Sequence, residues 1–501
     1  MTFTDSIDFI HNTKKEDIKL FSLFAIIFLI IYGAMITKLG YNHDELEMIN
    51  SQSPYEWLRA MGRWFFALWK WVIGSNPNPV TCGLTATFFI SLSLVILTKS
   101  LQISTVYAKA IFGVIYLIQF QFAHVMEYSF QIDAVALGLV FIACATYRIQ
   151  KEGALNLIVP IFLLVLSLAT YQSLILNFCI AGLVILYNHL AASDIKAFRK
   201  LFLKFIICCL CALALYFLTS KLSILLVSTS SEVIAAAKAY QSQFNIAEKI
   251  GIGNINGFAG QLIYTVCKFS KSLILPDAYN GEWIYSFAIL PLLILFIHTF
   301  KQKRSIREYI YISFTLICIW ILPFILILIF LNPEAMGAHN RLGEPLALAS
   351  LWSLAIPLVR WTRAKSIFFI TTLSMMVIKS SNYVSEIANS RRQIFEAQLL
   401  AYKEMEFEAA KKAADANIPL NRNNILLYRF SSNNSYHGYD TMLNYPALSY
   451  TNPSRHACQQ FLPEYEEVLK EMPFWPREGS VVVYKNKVLL KFDSSCFQTK
   501  K

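Results

Sequence analysis

The chain has 501 residues, 56% of them hydrophobic and only 15% charged. A soluble protein of this length would be built of several domains with charge interleaved throughout. Here apolar runs of about 17–25 residues recur between short basic loops, the pattern of a multi-span helical membrane protein. The formal net charge of +12 does not indicate nucleic acid, because much of the excess lies in loops between spans, where Lys and Arg set orientation.

In chain order, Met1 to Lys19 is polar and carries no evident cleavable signal, and the first apolar run is long enough to span. About eleven spans are predicted, near 20–37, 80–98, 104–122, 131–147, 154–171, 172–190, 205–226, 283–299, 309–331, 345–359 and 366–383. Lys14, Lys15 and Lys19 flank the first span and place the N-terminus inside. Alternation then assigns to the cytoplasm the loops holding Lys99; Arg148 and Lys151; Lys196, Arg199, Lys200 and Lys204; Lys301, Lys303, Arg304 and Arg307; and Arg360, Arg363 and Lys365. Every inside loop is basic, which supports the count. Its weak points are the tight Tyr171-Gln172 turn between spans five and six and the short tenth span. The outer side receives loops 38–79, 221–282 and 332–344. Residues 1–383 are therefore expected to form a membrane domain, and residues 384–501 a small C-terminal α/β domain. That tail opens with a Glu-, Lys- and Ala-rich helix, Ser385 to Ala416. Strand-like runs follow at Ile425 to Tyr428, and at Val481 to Tyr484 and Val488 to Phe492 around a turn at Lys485. No internal repeat is present, which argues against a duplicated transporter.

The residues suited to chemistry gather on the outer side. His43, Asp44 and Glu45 follow span one directly. They fit a solvated loop; they also fit a general base, since transfer of a sugar to a hydroxyl needs a carboxylate to take the hydroxyl proton. Asp44 is the first choice for base, with Glu45 orienting the acceptor and His43 tuning the pair or touching phosphate. An amphipathic stretch follows, Tyr55 to Val72. Its Arg59, Arg63 and Lys70 fall near one side at about 100° per residue, and Trp57, Trp64 and Trp71 on the other. This is the composition of a helix resting at the interface, and equally of one that steers a lipid phosphate. His124, Glu127, Gln131 and Asp133 cluster at the outer turn between spans three and four, where ionisable groups are costly and often functional. Tyr171 and Gln172 face outward and can hydrogen-bond a sugar. Lys268 and Lys271 lie in the long outer loop. His339, Asn340 and Arg341 lie in a short one, where Arg341 can clamp a phosphate bidentately and stabilise it as it departs.

Of the ten cysteines, Cys82, Cys144, Cys179, Cys208, Cys209, Cys211 and Cys318 lie in apolar runs and read as small buried hydrophobes. Cys267 is in a loop. Cys458 and Cys496 are free to pair if the tail lies outside the cytoplasm, which sequence alone does not decide. No spacing of His, Cys and Glu makes a metal site, and there is no phosphate-binding loop or dinucleotide fingerprint, so neither metal nor cofactor is expected. Asn433 begins a weak match to a glycosylation sequon.

Taken together, the acid pair after span one, Gly62-Arg63-Trp64, the run Leu168-Ala169-Thr170-Tyr171-Gln172-Ser173, and His339-Asn340-Arg341 followed by Leu346 resemble the serotype-converting O-antigen glucosyltransferases of enteric bacteria and their phages. The likeness extends loosely over most of the membrane part. It implies a GT-C type α-helical polytopic enzyme of the bacterial inner membrane, with its active site on the periplasmic side, the side on which the alternation of spans also puts the C-terminal α/β domain. It further implies a donor of glucose on undecaprenyl phosphate, an O-antigen polysaccharide acceptor and no metal. Asp44 and Glu45 match the family's acid pair, Arg63 its Gly-Arg and Arg341 its late Arg. This chain has Asp-Glu where many relatives carry two Asp, and Gly-Arg-Trp where many carry Gly-Arg-Pro. A transporter or flippase of lipid-linked sugars is the alternative of a different class. It would place ionisable or helix-breaking residues near mid-bilayer, whereas these spans are nearly free of charge. An O-antigen ligase using a polyprenyl diphosphate donor shares the gross layout.

Overall fold

A computed structural model of the protein describes residues 15–37, 54–74, 78–119, 121–126, 128–227, 229–242, 288–302, 304–325, 342–359, 361–418, 425–430, 468, 471–473, 479–485 and 487–493. The chain divides into two compact units, and among the described residues the larger ends at Ser385 and the smaller begins at Glu386.

The larger unit is a helical bundle. Helix α1 is Lys15–Thr37, and the short α2 (Pro54–Ala60) and α3 (Trp64–Ile73) follow. Then come α4 (Pro79–Ser100), α5 (Val106–Leu117), α6 (Gln121–Met126), α7 (Ser129–Ile149) and α8 (Leu155–Leu168). A single 3-10 turn, Gln172–Leu174, leads into α9 (Ile175–Ala191), followed by α10 (Ile195–Leu226) and α11 (Ser231–Ser242). Further on are α12 (Ile289–Lys301), α13 (Ile306–Ile321), α14 (Glu344–Ala355) and α15 (Arg363–Asp415). The centre is α4 packed on α7, with α1 against α4 and α5, α8 against α7 and α10, and α14 against α5. Aromatic side chains fill it: Phe24, Phe28 and Tyr32 of α1 meet Phe112, Tyr116 and Phe122, all fully buried. The close approach of α1 to α5 rests on Gly113, where a Cβ would overlap the Phe24 ring.

Among the described residues six helices are long and apolar enough to cross a membrane: Lys15–Thr37, Pro79–Ser100, Phe130–Ile149, Gln172–Ala191, Ile195–Leu226 and Arg363–Asn389. The other five expected spans coincide with shorter helices among the described residues, α5, α8, α12, α13 and α14. Large apolar side chains on α10 (Leu210, Phe217, Leu218), α12 (Leu293, Ile297), α13 (Ile310, Phe314) and α15 (Phe368, Met375, Ile378) are exposed. That is the surface a bilayer covers rather than water.

The bundle has two chemically distinct ends. At one, Asp17 meets Lys99 at 2.8 Å and Glu16 meets Lys109 at 2.7 Å, tying the start of α1 to the α4–α5 turn. Gln150 reaches the Ser100 carbonyl, Asn188 the Leu101 carbonyl and Lys204 the Lys151 carbonyl. Lys200 pairs with Glu152 and holds its carboxyl below the usual carboxylate range. Arg304 donates to the carbonyls of Leu190 and Ala191, and a capping box of Ser305 and Glu308 starts α13. These contacts join the expected cytoplasmic loops from Lys99 to Arg307 into one layer.

The expected break between a last span and a tail helix is absent. Helix α15 runs without interruption through 53 residues, about 80 Å. Hydropathy changes near residue 385, but Arg363 to Asp415 contains neither Pro nor Gly, so nothing stops the helix. In the smaller unit β1 (Ile425–Phe430), β2 (Val481–Tyr484) and β3 (Lys487–Asp493) form a sheet in the order β1-β3-β2. β2 and β3 are an antiparallel hairpin with Val483 opposite Val488, while β1 lies parallel to β3 with Leu427 opposite Leu490. Met472 and Leu489 pack under the sheet with Val468, Val482 and Tyr484.

Gly113→Val should lower unfolding stability in detergent by about 1–3 kcal/mol through overpacking, and trimming Phe24→Leu in the same chain should restore part of it. Thermal unfolding of the three variants is the measurement; an unaffected Gly113→Val would mean that α1 is not seated on α5.

Candidate functional site

The opposite end of the bundle holds Gly62-Arg63-Trp64 and Tyr171-Gln172, and its geometry starts from one turn. The stretch Tyr55 to Val72 is two helices rather than one amphipathic helix, because α2 stops at Gly62. Gly62 has φ +77°, and its N–H donates to the Arg59 carbonyl at 2.9 Å while Arg63 N–H donates to the Leu58 carbonyl at 2.7 Å. This is the Schellman closure, with glycine where the left-handed conformation is needed. A Cβ at Gly62 would also overlap the Tyr216 hydroxyl and lie 3.5 Å from Gln172 Nε2. Both backbone angle and crowding therefore demand glycine.

The turn docks into a second break, between α8 and α9. Ala169 closes α8, and its carbonyl accepts from Phe65 and Phe66 N–H, each at 3.2 Å. Two of the first-turn N–H groups of α3 are thereby satisfied across the helix pair. Tyr171, extended at φ −154° and ψ 117°, is buried with 4% exposed, and the Arg63 guanidinium sits 4.6 Å from its ring centroid, a cation–π contact. Gln172 Nε2 donates to the Met61 carbonyl at 2.8 Å and to the Tyr216 hydroxyl at 2.9 Å. Along α10 the path from Ile195 to Tyr216 measures about 31 Å, close to one hydrocarbon thickness. The constellation thus lies at the opposite end of the bundle from the basic layer.

Charge at this end is uneven. Arg59 and Arg63 flank the Gly62 turn, the Nε of each is shielded from solvent, and neither guanidinium has a hydrogen-bond or carboxylate partner among the described residues. Trp64 Nε1 is likewise buried and unpartnered. On the other flank, Glu56 accepts from Ser230 N–H at 3.0 Å and ties α2 to the start of α11.

Lys70 corrects the sequence reading. It does not join Arg59 and Arg63 on a head-group face; it is 2% exposed and paired with Asp133, itself 0% exposed, at 2.8 Å. Trp69 Nε1 donates to the same carboxylate at 2.9 Å, and Phe66 stacks on Phe130 one turn away. The exposed face of α3 is apolar: Trp71 is 69% exposed, beside Leu68, Val72 and Ile73. Lys70 turns inward because Asp133, on α7, lies behind α3. That partner belongs to a distant segment, invisible to helical periodicity.

Of the sequence-selected residues, the structure brings together Arg63, Tyr171 and Gln172 at the Gly62 turn, with Arg59 on the helix leading into it. His43, Asp44, Glu45, Glu127, Lys268, Lys271, His339 and Arg341 lie outside the described residues. Tyr216 was missed. It is the one tyrosine of α10, set in an apolar run from Phe205 to Leu218, and only its distance from the basic end marks it. Among the described residues no group of three His, Cys, Asp or Glu is placed to hold a metal ion.

A bundle of apolar helices with a cation, an aromatic ring and an amide gathered at one end has the make-up of a polytopic membrane protein carrying a polar constellation. A family model described as Glucosyl transferase GtrII matches residues 33–338, more than half of the chain and all of this turn. The chain belongs to that family and is a glycosyltransferase of the glucosyltransferase type. His339 and Arg341 fall just past the matched stretch. No curated protein and no solved structure matches significantly.

Lys70→Met should cost about 3–5 kcal/mol, because it strands a buried carboxylate. The double variant Lys70→Met with Asp133→Leu should recover at least half of that loss, the remainder reflecting the unpartnered Trp69 indole. Chemical or thermal unfolding in detergent reads both; a double variant no better than the single would mean that the pair is not isolated from solvent.

Proposed function

We propose that this glucosyltransferase moves glucose from undecaprenyl-phosphate-glucose to O-antigen repeat units of lipopolysaccharide, at the periplasmic face of the bacterial inner membrane. The observation that carries the reading is the pair of arginines without acidic partners among the described residues, Arg59 and Arg63, with Arg63 set against Tyr171. Two half-buried cations without a counter-charge suit an anion, and a lipid-linked phosphate arrives at this depth. The sidedness rests on the basic layer about 31 Å away, since Lys- and Arg-rich loops stay in the cytoplasm.

In this reading the acceptor hydroxyl attacks the glucose C1 as the C1–O bond to phosphate breaks. Asp44 takes the hydroxyl proton as general base, Glu45 orients the acceptor and His43 tunes the pair. Arg63 offsets charge building on the departing undecaprenyl phosphate, helped by Arg59 and by Arg341 and His339 of the later loop. Lys268, Lys271 and Glu127 are assigned to the substrate-binding rim on their place in the sequence alone. The step consumes the donor, forms one glycosidic bond and passes one proton to the carboxylate. The C-terminal unit is assigned to the same side.

Asp44→Asn should lower transfer by about 10²–10⁴-fold while expression and membrane insertion persist. Arg63→Ala should lower kcat/KM for the donor by about 10–100-fold, the loss expected for a charge-assisted hydrogen bond. Purified protein, labelled donor and a defined O-antigen acceptor give both numbers. Full activity of Asp44→Asn would move the base elsewhere, first to Glu45. Product formed only from a diphosphate-linked glycan would point to a ligase, and translocation without product to a transporter.

A further inference from the structure

We infer that Tyr216 and Gln172 form a sugar-reading pair that selects the transferred hexose through one hydroxyl group. The inference rests on the glycosyl-transfer reading above and deepens it, by naming residues that touch the sugar rather than the phosphate.

The argument is a count of donors and acceptors. The Gln172 amide has two N–H hydrogens, and both are spent, one on the Met61 carbonyl and one on the Tyr216 hydroxyl oxygen. The amide is thereby fixed in orientation, and its Oε1 is left with no donor among the described residues. The Tyr216 oxygen accepts from Gln172, so its own O–H hydrogen must point elsewhere, and it too finds no partner among the described residues. One open donor and one open acceptor therefore stand side by side. A sugar hydroxyl, which donates one hydrogen bond and accepts others, satisfies both at once. An apolar lipid chain satisfies neither, and phosphate oxygens satisfy only the donor.

Position supports the assignment. Tyr216 is buried in α10 at 7% exposure, whereas its neighbours Phe217 and Leu218 are exposed on the lipid face. The hydroxyl lies close against Gly62, one residue from the arginine proposed to meet the phosphate. A glucosyl phosphate joins its ring to its phosphate through a single oxygen, so the ring hydroxyls fall within a few ångströms of the anion. A tyrosine serving only to lock the Gly62 turn would need its oxygen as acceptor and leave no use for the hydrogen.

The test is Tyr216→Phe, which keeps the ring and removes only the hydroxyl, with transfer measured for the glucose donor and for donors carrying monodeoxy glucoses at each ring position. Wild type should lose about tenfold or more in kcat/KM at one position. Tyr216→Phe should lose that amount on the intact glucose donor and show less than twofold further loss on that same deoxy analogue. If Tyr216 were only a structural strut, the variant would fall by one common factor on every donor and keep the wild-type pattern of discrimination; that result overturns the inference. Should Tyr216→Phe prove too unstable to assay, Gln172→Met offers the second reading, as it removes the Oε1 acceptor along with the two N–H donors. It should lose discrimination at the same ring position as Tyr216→Phe, and a variant that keeps the wild-type pattern of discrimination would equally overturn the pair. The comparison is made on whichever lipid donor the wild-type enzyme uses. A shift to a diphosphate-linked donor would therefore refute the donor assignment and leave the Tyr216 result to stand or fall separately.

Discussion

Hydrocarbon offers no water to unsatisfied backbone groups, and the site end of this bundle is built on that constraint. Helix α8 ends at the fully buried Ala169, and a helix end shielded from water leaves carbonyls that must find donors. The Ala169 carbonyl finds them in Phe65 and Phe66, the first turn of α3. The break on one side and the helix start on the other thus complete each other. The side chains between them, Arg63, Tyr171 and Gln172, are held as a consequence. The bond from Gln172 to the Met61 carbonyl belongs to the same repair, since it covers a backbone acceptor at the Gly62 turn.

The buried Lys70–Asp133 pair acts on the same junction from below. A charge pair shielded from solvent contributes little net stability, but either partner alone is very costly. It therefore allows only one seating of α3 on α7, and the rotation of α3 sets where Arg63 points. Trp69, which shares the Asp133 carboxylate, adds a second fixed direction. The outward face, with Trp71, Leu68 and Val72, supplies the opposite preference for lipid. A short helix with an anchored polar side and an apolar outer side suits a membrane-surface site approached by a lipid-linked substrate.

The two ends of the bundle differ in how their charges are treated. At the basic layer the cations Lys99, Lys109, Lys200 and Arg304 are matched by carboxylates or helix-end carbonyls and tie the helix ends together. At the site end Arg59 and Arg63 are not matched among the described residues. An enzyme that must bind and release an anion needs cations that are held but not neutralised, and the asymmetry separates the structural cations from the candidate functional ones.

Sequence by itself determined the class of the protein. Long apolar runs can only be helices in a membrane, because no other single-segment structure satisfies its own backbone there. The basic loops set the alternation, and Gly62-Arg63 with Tyr171-Gln172 marked two of the segments that meet. The strands at 425–430, 481–484 and 487–493 were legible from β-branched and aliphatic runs. Other features depend on partners far apart in the chain. The inward turn of Lys70 follows from Asp133, the role of Tyr216 from its contact with Gln172, and the demand for glycine at position 62 from both crowding and the turn. The unbroken α15 was obscured for a different reason: hydropathy reports where a helix leaves an apolar environment, and only breakers and caps report where it ends. Periodicity describes a residue's own helix. What it faces is set by packing, and at this site packing turned one of three apparent surface cations into a buried anchor and left the other two without a carboxylate partner among the described residues.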